Sequence, residues 1–155
     1  MKIVNYFSSS NTERIVVCYN LFMKNTYINL PIRNVKDTDT FFAALGMPKN
    51  ELFSGSDATN AKINENTIVM LLEDKRFATF VDGNPEAINN NLTIALEFDS
   101  KSGVDDIFEK AIAAGAKDNT KPSLESEGYV YGKAFRDING HVWELFAFID
   151  DMPSK

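Results

Sequence analysis

The sequence predicts an α+β fold built from two tandem βαβββ modules, and three observations carry that prediction. Two stretches, Thr26 to Ile32 and Leu92 to Phe98, alternate apolar and polar residues with the period of two expected of half-buried strands. Each is followed by an apolar stripe at helical spacing that ends on a glycine, Gly46 or Gly115. The two units also keep step. Ile32 and Phe98 hold the same place 66 residues apart (98 minus 32), and the glycines do so 69 apart (115 minus 46), which implies a duplication with a three-residue insertion before the second helix.

In the first module, Tyr27, Asn29 and Pro31 take one side of the opening strand and Ile28, Leu30 and Ile32 the other. Asn34 is placed to cap the next helix with Asp37 at its third position, because an Asn side chain accepts from the free N–H groups of a first turn. Phe41, Phe42 and Leu45 give that helix its apolar side. The segments "ELFSGSD", "NAKINEN" and "TIVMLLE" are divided by turn-forming residues and are predicted as three strands. "DKRFATFVDG" reads as a short helical connector and "NPEAINNN" as a polar linker.

In the second module, Ile94, Leu96 and Phe98 face away from Thr93, Ala95 and Glu97. "GVDDIFEKAIAAG" then sets Val104, Ile107, Phe108, Ala111 and Ile112 on one stripe. "KPSLESEG", "YVYGKAF" and "HVWELFAF" supply three more strands. The predicted organisation is an N-terminal extension, 1–24, a first module, 25–82, a linker, 83–90, a second module, 91–150, and a tail, 151–155. Two sheets, each with one face under a helix, leave their other faces to curve around a cleft.

Composition bounds the function. An apolar share of 44% and a charged share of 25% belong to a packed globular protein, and 155 residues suffice for one domain or two fused half-size units. Sixteen Lys and Arg against 22 Asp and Glu give a net charge of -6, with the basic residues scattered, so nucleic acid is not expected as a partner and a neutral or cationic small molecule is. The single cysteine, Cys18, can form no internal disulfide and reads as a small apolar residue in "IVVCY", which suits a reducing, cytoplasmic setting.

The apolar run from Ile15 to Met23 is interrupted by Asn20 and is too short to span a bilayer, and no small-x-small cleavage pattern follows it. Neither export nor membrane anchoring is expected. "NLT", Asn91 to Thr93, matches a glycosylation triplet by chance on this reading. There is no glycine-rich phosphate loop, and one histidine does not make a Ser-His-Asp order.

Taken in order, "YINLPIRNVKDTDTFFAALGM", "IALEFDSKSGVDDIFEKAIAAGAK" and "YGKAFRDINGHVWELF" resemble the vicinal oxygen chelate superfamily, which includes glyoxalase I, extradiol dioxygenases and bleomycin-resistance proteins. The resemblance covers roughly Thr26 to Ile149. It implies a cup-shaped, partly open β-sheet barrel with flanking helices, commonly assembled as a homodimer, with the site in the cup. In metal-using members the first and last strands of each module each give one inward ligand to a divalent ion. Those positions fall on Tyr27, at or beside Leu71, on Thr93 and on Glu144, with Glu73 within reach of a register error. Only Glu144 is a good ligand for a divalent metal, so no metal cofactor is expected.

The expected ligand-binding residues are Tyr27, Asn29, Thr93, Glu97, Tyr129, Tyr131, Glu144 and Phe146, with no catalytic residue assigned. Tyr27, Asn29 and Glu97 would give the cup a phenol, an amide and a carboxylate, a mixture suited to a cationic or polyhydroxylated molecule. "YVYGKAF" sets Tyr129, Tyr131, Lys133 and Phe135 on one face, either an aromatic wall for a ligand or ordinary strand packing.

"RDINGHVWELFAF" holds the only His and the only Trp three residues or less from Glu144. Alternation splits them, so His141 reads as the turn into the last strand, with proton transfer as the other reading, and Trp143 reads as core. Glu144 shares its side with Val142, Phe146 and Phe148 and stays open between a paired structural carboxylate and a ligand contact. The expectation is a ligand-binding protein resembling the bleomycin-resistance group. The alternative is a metal-dependent lyase, isomerase or dioxygenase of the same superfamily, similar to lactoylglutathione lyase.

Overall fold

The computed structural model describes residues 24–81, 92–121 and 130–148. The first module comprises strand β1 (Thr26–Ile32), helix α1 (Val35–Ala44), strands β2 (Ala58–Lys62) and β3 (Thr67–Glu73), and the short helix α2 (Asp74–Phe77). The second comprises β4 (Thr93–Glu97), α3 (Lys101–Ala113), β5 (Lys117–Asp118), β6 (Val130–Arg136) and β7 (Val142–Phe148). Two open sheets result, ordered β1-β3-β2 and β4-β7-β6-β5, and in each the module's first strand runs parallel to its last. This is the predicted pair of βαβββ-like modules with flanking helices. The extension up to residue 23, the linker, most of "KPSLESEG", Asn91, Tyr129 and the tail lie outside the described residues.

Both helices start and stop where their sequences direct. Extended Asn34 accepts the Asp37 N–H at 2.9 Å, and Ser100 does the same for Gly103 at 3.3 Å. Gly46 (φ 76°) and Gly115 (φ 104°) end them in the left-handed region that a side chain disfavours. The helices begin 66 residues apart (101 minus 35) but span 10 and 13 residues, so the three-residue insertion lies within α3 and not before it.

One core serves both modules. Leu30, Ile32, Phe41, Phe42, Leu45, Val69 and Leu71 meet Ile94, Val104, Phe135, Trp143 and Leu145 in a single cluster. Trp143 is fully buried, stacked on Phe135 (6.3 Å, 9°) and edge-on to Phe42 of α1 (5.5 Å). Each such side chain contributes about 1.5 to 3 kcal/mol by leaving water. Ile112 departs from the predicted stripe and is exposed.

Of the three strands predicted between the helix and connector of the first module, the structure has two. "ELF" forms a 3-10 turn, Glu51–Phe53, opened by the Asn50 side chain accepting from Leu52 N. The buried Asn60 amide receives Asn50 N–H at 2.8 Å and donates to Asn50 O at 2.8 Å. A side chain on β2 thus satisfies backbone groups that a fourth strand would have paired. "NAKINEN" contributes only its first half to β2.

The turn between β6 and β7 docks the second module on the first. Asn139 accepts from Arg33 N and donates to Thr38 Oγ1, both at 3.1 Å, and His141 Nε2–H donates to the Pro31 carbonyl at 2.6 Å. Among the described residues no helix is long and apolar enough to cross a membrane.

Candidate functional site

The site is set by which face of each strand turns away from the helices. In β7, Trp143, Leu145 and Ala147 are fully buried in the core, leaving Val142, Glu144, Phe146 and Phe148 on the opposite, cup-side face. In β4 the same face carries Thr93, Ala95 and Glu97, all exposed. Cross-strand pairing fixes the neighbours. Glu144 stands between Ala95 on β4 and Ala134 on β6, Val142 between Thr93 and Arg136, and Phe146 between Glu97 and Gly132. Two alanines therefore flank the half-buried carboxylate. Glu97 and Arg136 are its diagonal neighbours, roughly 7 to 8 Å away by sheet geometry. Among the described residues, Glu144 has no hydrogen-bonded or ionic partner.

The first module's cup face differs. Tyr27, Asn29 and Pro31 of β1 lie beside Ile68, Met70 and Leu72 of β3. Phe77 of α2 covers part of this face, packing on Leu72 and Ala58 with Met70 and Val81 around it. Tyr27 remains 45% exposed, edge-on to Phe53 at 5.9 Å, its hydroxyl accepting from Asn25 Nδ2 at 3.3 Å. The structure therefore places Tyr27, Asn29, Thr93, Glu97, Glu144 and Phe146 on the predicted side of their strands.

One placement differs from expectation. Tyr131 pairs with Ala147, on the helix side of the sheet, so the face that β6 shares with Glu144 is Val130, Gly132, Ala134 and Arg136. Tyr131 donates to Asp105 of α3 at 2.7 Å, and Lys133 meets the same carboxylate at 2.7 Å. Those two bonds, Lys133 first, hold Asp105 below the usual carboxylate range, and Asp105 in turn raises both the Tyr131 phenol and the Lys133 ammonium. The trio clamps α3 to β6, and Tyr131, Lys133 and Phe135 are on the helix side of the sheet and not in the cup. Sequence reasoning also missed Arg136, a guanidinium on the cup-side face of β6, whose Nη1 donates to Gly140 O at 2.9 Å.

Strand register also resolves the position expected at or beside Leu71. Register makes the modules superposable: Leu30 pairs with Leu71 as Leu96 pairs with Leu145, so Glu144 corresponds to Met70, not Leu71. Leu71 is fully buried towards the helix, and Glu73, on the same side, accepts from Val35 N at 3.3 Å. The positions that the resemblance makes metal ligands thus fall on Tyr27, Met70, Thr93 and Glu144, a phenol, a thioether, an alcohol and one carboxylate. That donor set does not fit a divalent transition metal, which takes several imidazole, thiolate or carboxylate donors at about 2.0 to 2.3 Å. Among the described residues no group of three or more His, Cys, Asp or Glu side chains converges elsewhere.

His141 and Trp143 belong to the scaffold. The buried Asp137 accepts from Asn139 N (2.9 Å), His141 N (3.0 Å) and Trp143 Nε1 (3.0 Å), and so sets the turn that starts β7 and fixes its phase. A cavity of about 660 Å³ opens between the modules, along the β4 edge at Ala95 and Glu97 and against Lys62 to Glu65; Glu144 lies outside it.

Two modules with open sheets, helices on one side and a lined cup on the other define the class: the chain has the fold of the vicinal oxygen chelate superfamily. It is similar to a hypothetical protein from S. aureus, with 25% identity and a TM-score of 0.68 over 80% of this chain and 93% of that one. A glyoxalase/bleomycin resistance protein/dioxygenase family enzyme from Burkholderia phytofirmans PsJN shares the fold at 17% identity and a TM-score of 0.66, over 82% and 98%. A genomically encoded fosfomycin resistance protein from Listeria monocytogenes does so at 18% identity and 0.54, over 84% and 93%. No protein-family model and no curated protein sequence matches the chain.

Proposed function

We propose that the protein binds a small organic ligand in its cup, as a cytoplasmic homodimer and without the superfamily's usual metal. The observation that carries this reading is the Glu144 carboxylate between Ala95 and Ala134, without a hydrogen-bonded or ionic partner among the described residues and the one carboxylate among Tyr27, Met70, Thr93 and Glu144. Glu97 and Glu144 favour a cationic or polyhydroxylated molecule, Arg136 allows one further acceptor group, and Val142, Phe146 and Phe148 supply apolar contact. Thr93, Tyr27 and Asn29 complete the binding set.

A thermal-shift screen of amines, amino sugars and polyols against the native and Glu144→Gln proteins tests the proposal, since a ligand that binds only the folded state raises its melting temperature. A hit lost on Glu144→Gln is expected. Purified protein that carries stoichiometric Zn, Ni, Fe or Mn, lost together with a glyoxalase-type or ring-cleavage activity on Glu144→Ala, would establish the metal-dependent lyase, isomerase or dioxygenase instead. Retention of Glu144 itself is what keeps that second reading in play.

A further inference from the structure

Strand pairing sets the two modules residue against residue. Asp39 on α1 and Asp105 on α3 are equivalent, 66 residues apart (105 minus 39), like the starts of their helices. Thr59 pairs with Leu71 as Lys133 pairs with Leu145, and Ala61 pairs with Val69 as Phe135 pairs with Trp143. In the second module Lys133 spans the space under the helix, over the Phe108 ring (4.8 Å) to Asp105, and Phe135 fills what lies behind.

The first module puts a threonine and an alanine in those places. Thr59 still donates to Asp39. The lysine that answers Asp39 comes from the loop instead: Lys49 Nζ lies 3.0 Å from Asp39 and 3.4 Å from Glu51. Behind it lies a cavity of about 500 Å³, lined chiefly by Phe42, Ala43, Met47, Pro48 and Leu71. That volume lies in the range of small-molecule sites. Its position under α1 puts it on the other side of the sheet from the cup.

We propose that this cavity is a second ligand site, taking a primary amine with an apolar body. The body enters between α1 and β3, and the ammonium takes the place now held by that of Lys49 against Asp39 and Glu51. Charge selects the class: two carboxylates and one ammonium sum to -1 at the mouth, so an anion meets repulsion and a cation does not. Lys49, already more than a third exposed, turns out to water when displaced. Competition with Lys49 keeps the affinity modest.

The test is an amide NMR titration of the full chain with 2-phenylethylamine, 2-phenylethanol and 3-phenylpropionate. The expected result is saturable shifts at Gly46, Met47 and Asn60, with the amine binding at least fivefold more tightly than the alcohol and the acid not binding. Lys49→Met removes the competitor and tightens the amine at least threefold, and Ala43→Phe fills the cavity and weakens it at least tenfold. The site is overturned if the amine shifts none of these amides, if the acid binds as well as the amine, or if Lys49→Met weakens the amine. Should Ala43→Phe fail to fold, the exposed Lys49→Met variant decides alone. Shifts confined to the cup around Thr93 and Glu144 also overturn it, whatever they show of the cup.

Discussion

Replacing Asp137 by Ala removes a buried carboxylate that accepts from Asn139 N, His141 N and Trp143 Nε1 at 2.9 to 3.0 Å. Hydrogen bonds to a charged acceptor contribute about 1.5 to 3 kcal/mol each when lost inside a protein. The two backbone donors sit in a part-buried turn that water reaches once the carboxylate is gone, so each costs the low end of that range or less. The indole N–H is fully buried and keeps its desolvation penalty of about 1 to 3 kcal/mol. The sum is about 3 to 4 kcal/mol, a large part of the stability of an ordinary domain. Asp137→Asn keeps one acceptor oxygen and loses about half. Trp143 is the only tryptophan, so its fluorescence in a urea titration reads the transition directly, with an unchanged m-value showing that stability alone moved. A loss below 1 kcal/mol for Asp137→Ala would refute the claim that this turn anchors β7.

Leu71→Ala should cost about 2 to 5 kcal/mol and Met70→Ala distinctly less, because only Leu71 leaves a cavity in the shared core; equal or reversed losses in denaturant would show that β3 is read out of phase. Asn34→Ala should destabilise by about 1 kcal/mol and Asn34→Gly by a few tenths, measured by the same titration. The Asp105 clamp gives a signed pH dependence. Its folded pKa is lowered, so its contribution is present above the ordinary carboxylate value and fades as pH falls through the folded one. Lys133 is raised, so its share is present below the ordinary lysine value and fades as pH rises through the folded one. Asp105→Asn should therefore lower the unfolding midpoint at pH 7 and leave it unchanged at the acid end of the titration, whereas a pH-independent difference would mean that charge has no part in the clamp.

Much of the fold was legible because β1, β4 and β7 each have one clearly apolar side, so alternation alone placed Tyr27, Asn29, Thr93, Glu97 and Glu144 on the cup side. β3 was not legible in this way. "VMLLE" is apolar on both sides, since Leu72 is buried against Phe77 of α2 while Val69 and Leu71 are buried in the core under α1, and only pairing with β1 reveals that Met70 matches Glu144. β6 misled for a different reason. Its aromatic side and its small side are both compatible with a cup, and the choice is made by Asp105, 26 residues earlier, which holds Tyr131 and Lys133 under the helix. The lost strand at "ELF" likewise depends on Asn60, ten residues later, whose side chain stands in for a backbone partner. Each miss came from a contact distant in sequence, which no local period records.

The register equivalence makes one constructive prediction. If Tyr27, Met70, Thr93 and Glu144 converge, then Tyr27→His, Met70→Glu and Thr93→His together should create a site of two imidazoles and two carboxylates, a set suited to Zn, Ni or Fe. None of the three substitutions touches the shared core. Tyr27 and Thr93 are exposed and Met70 is only partly buried, so the folded state should survive, the greatest cost falling on the new Met70→Glu carboxylate beside Leu72 and Phe77. A bound metal relieves that cost, because a carboxylate that ligates a cation is no longer an unpaired charge. The triple variant should therefore retain one equivalent of metal through gel filtration and melt at a higher temperature with metal than with chelator, while the native protein shows neither effect. Restoring Glu144→Gln in that background should abolish both. A folded triple variant that takes up no metal would mean that the four positions point into separate spaces, and with that the case for reading Glu144 as the remnant of a shared site would fall.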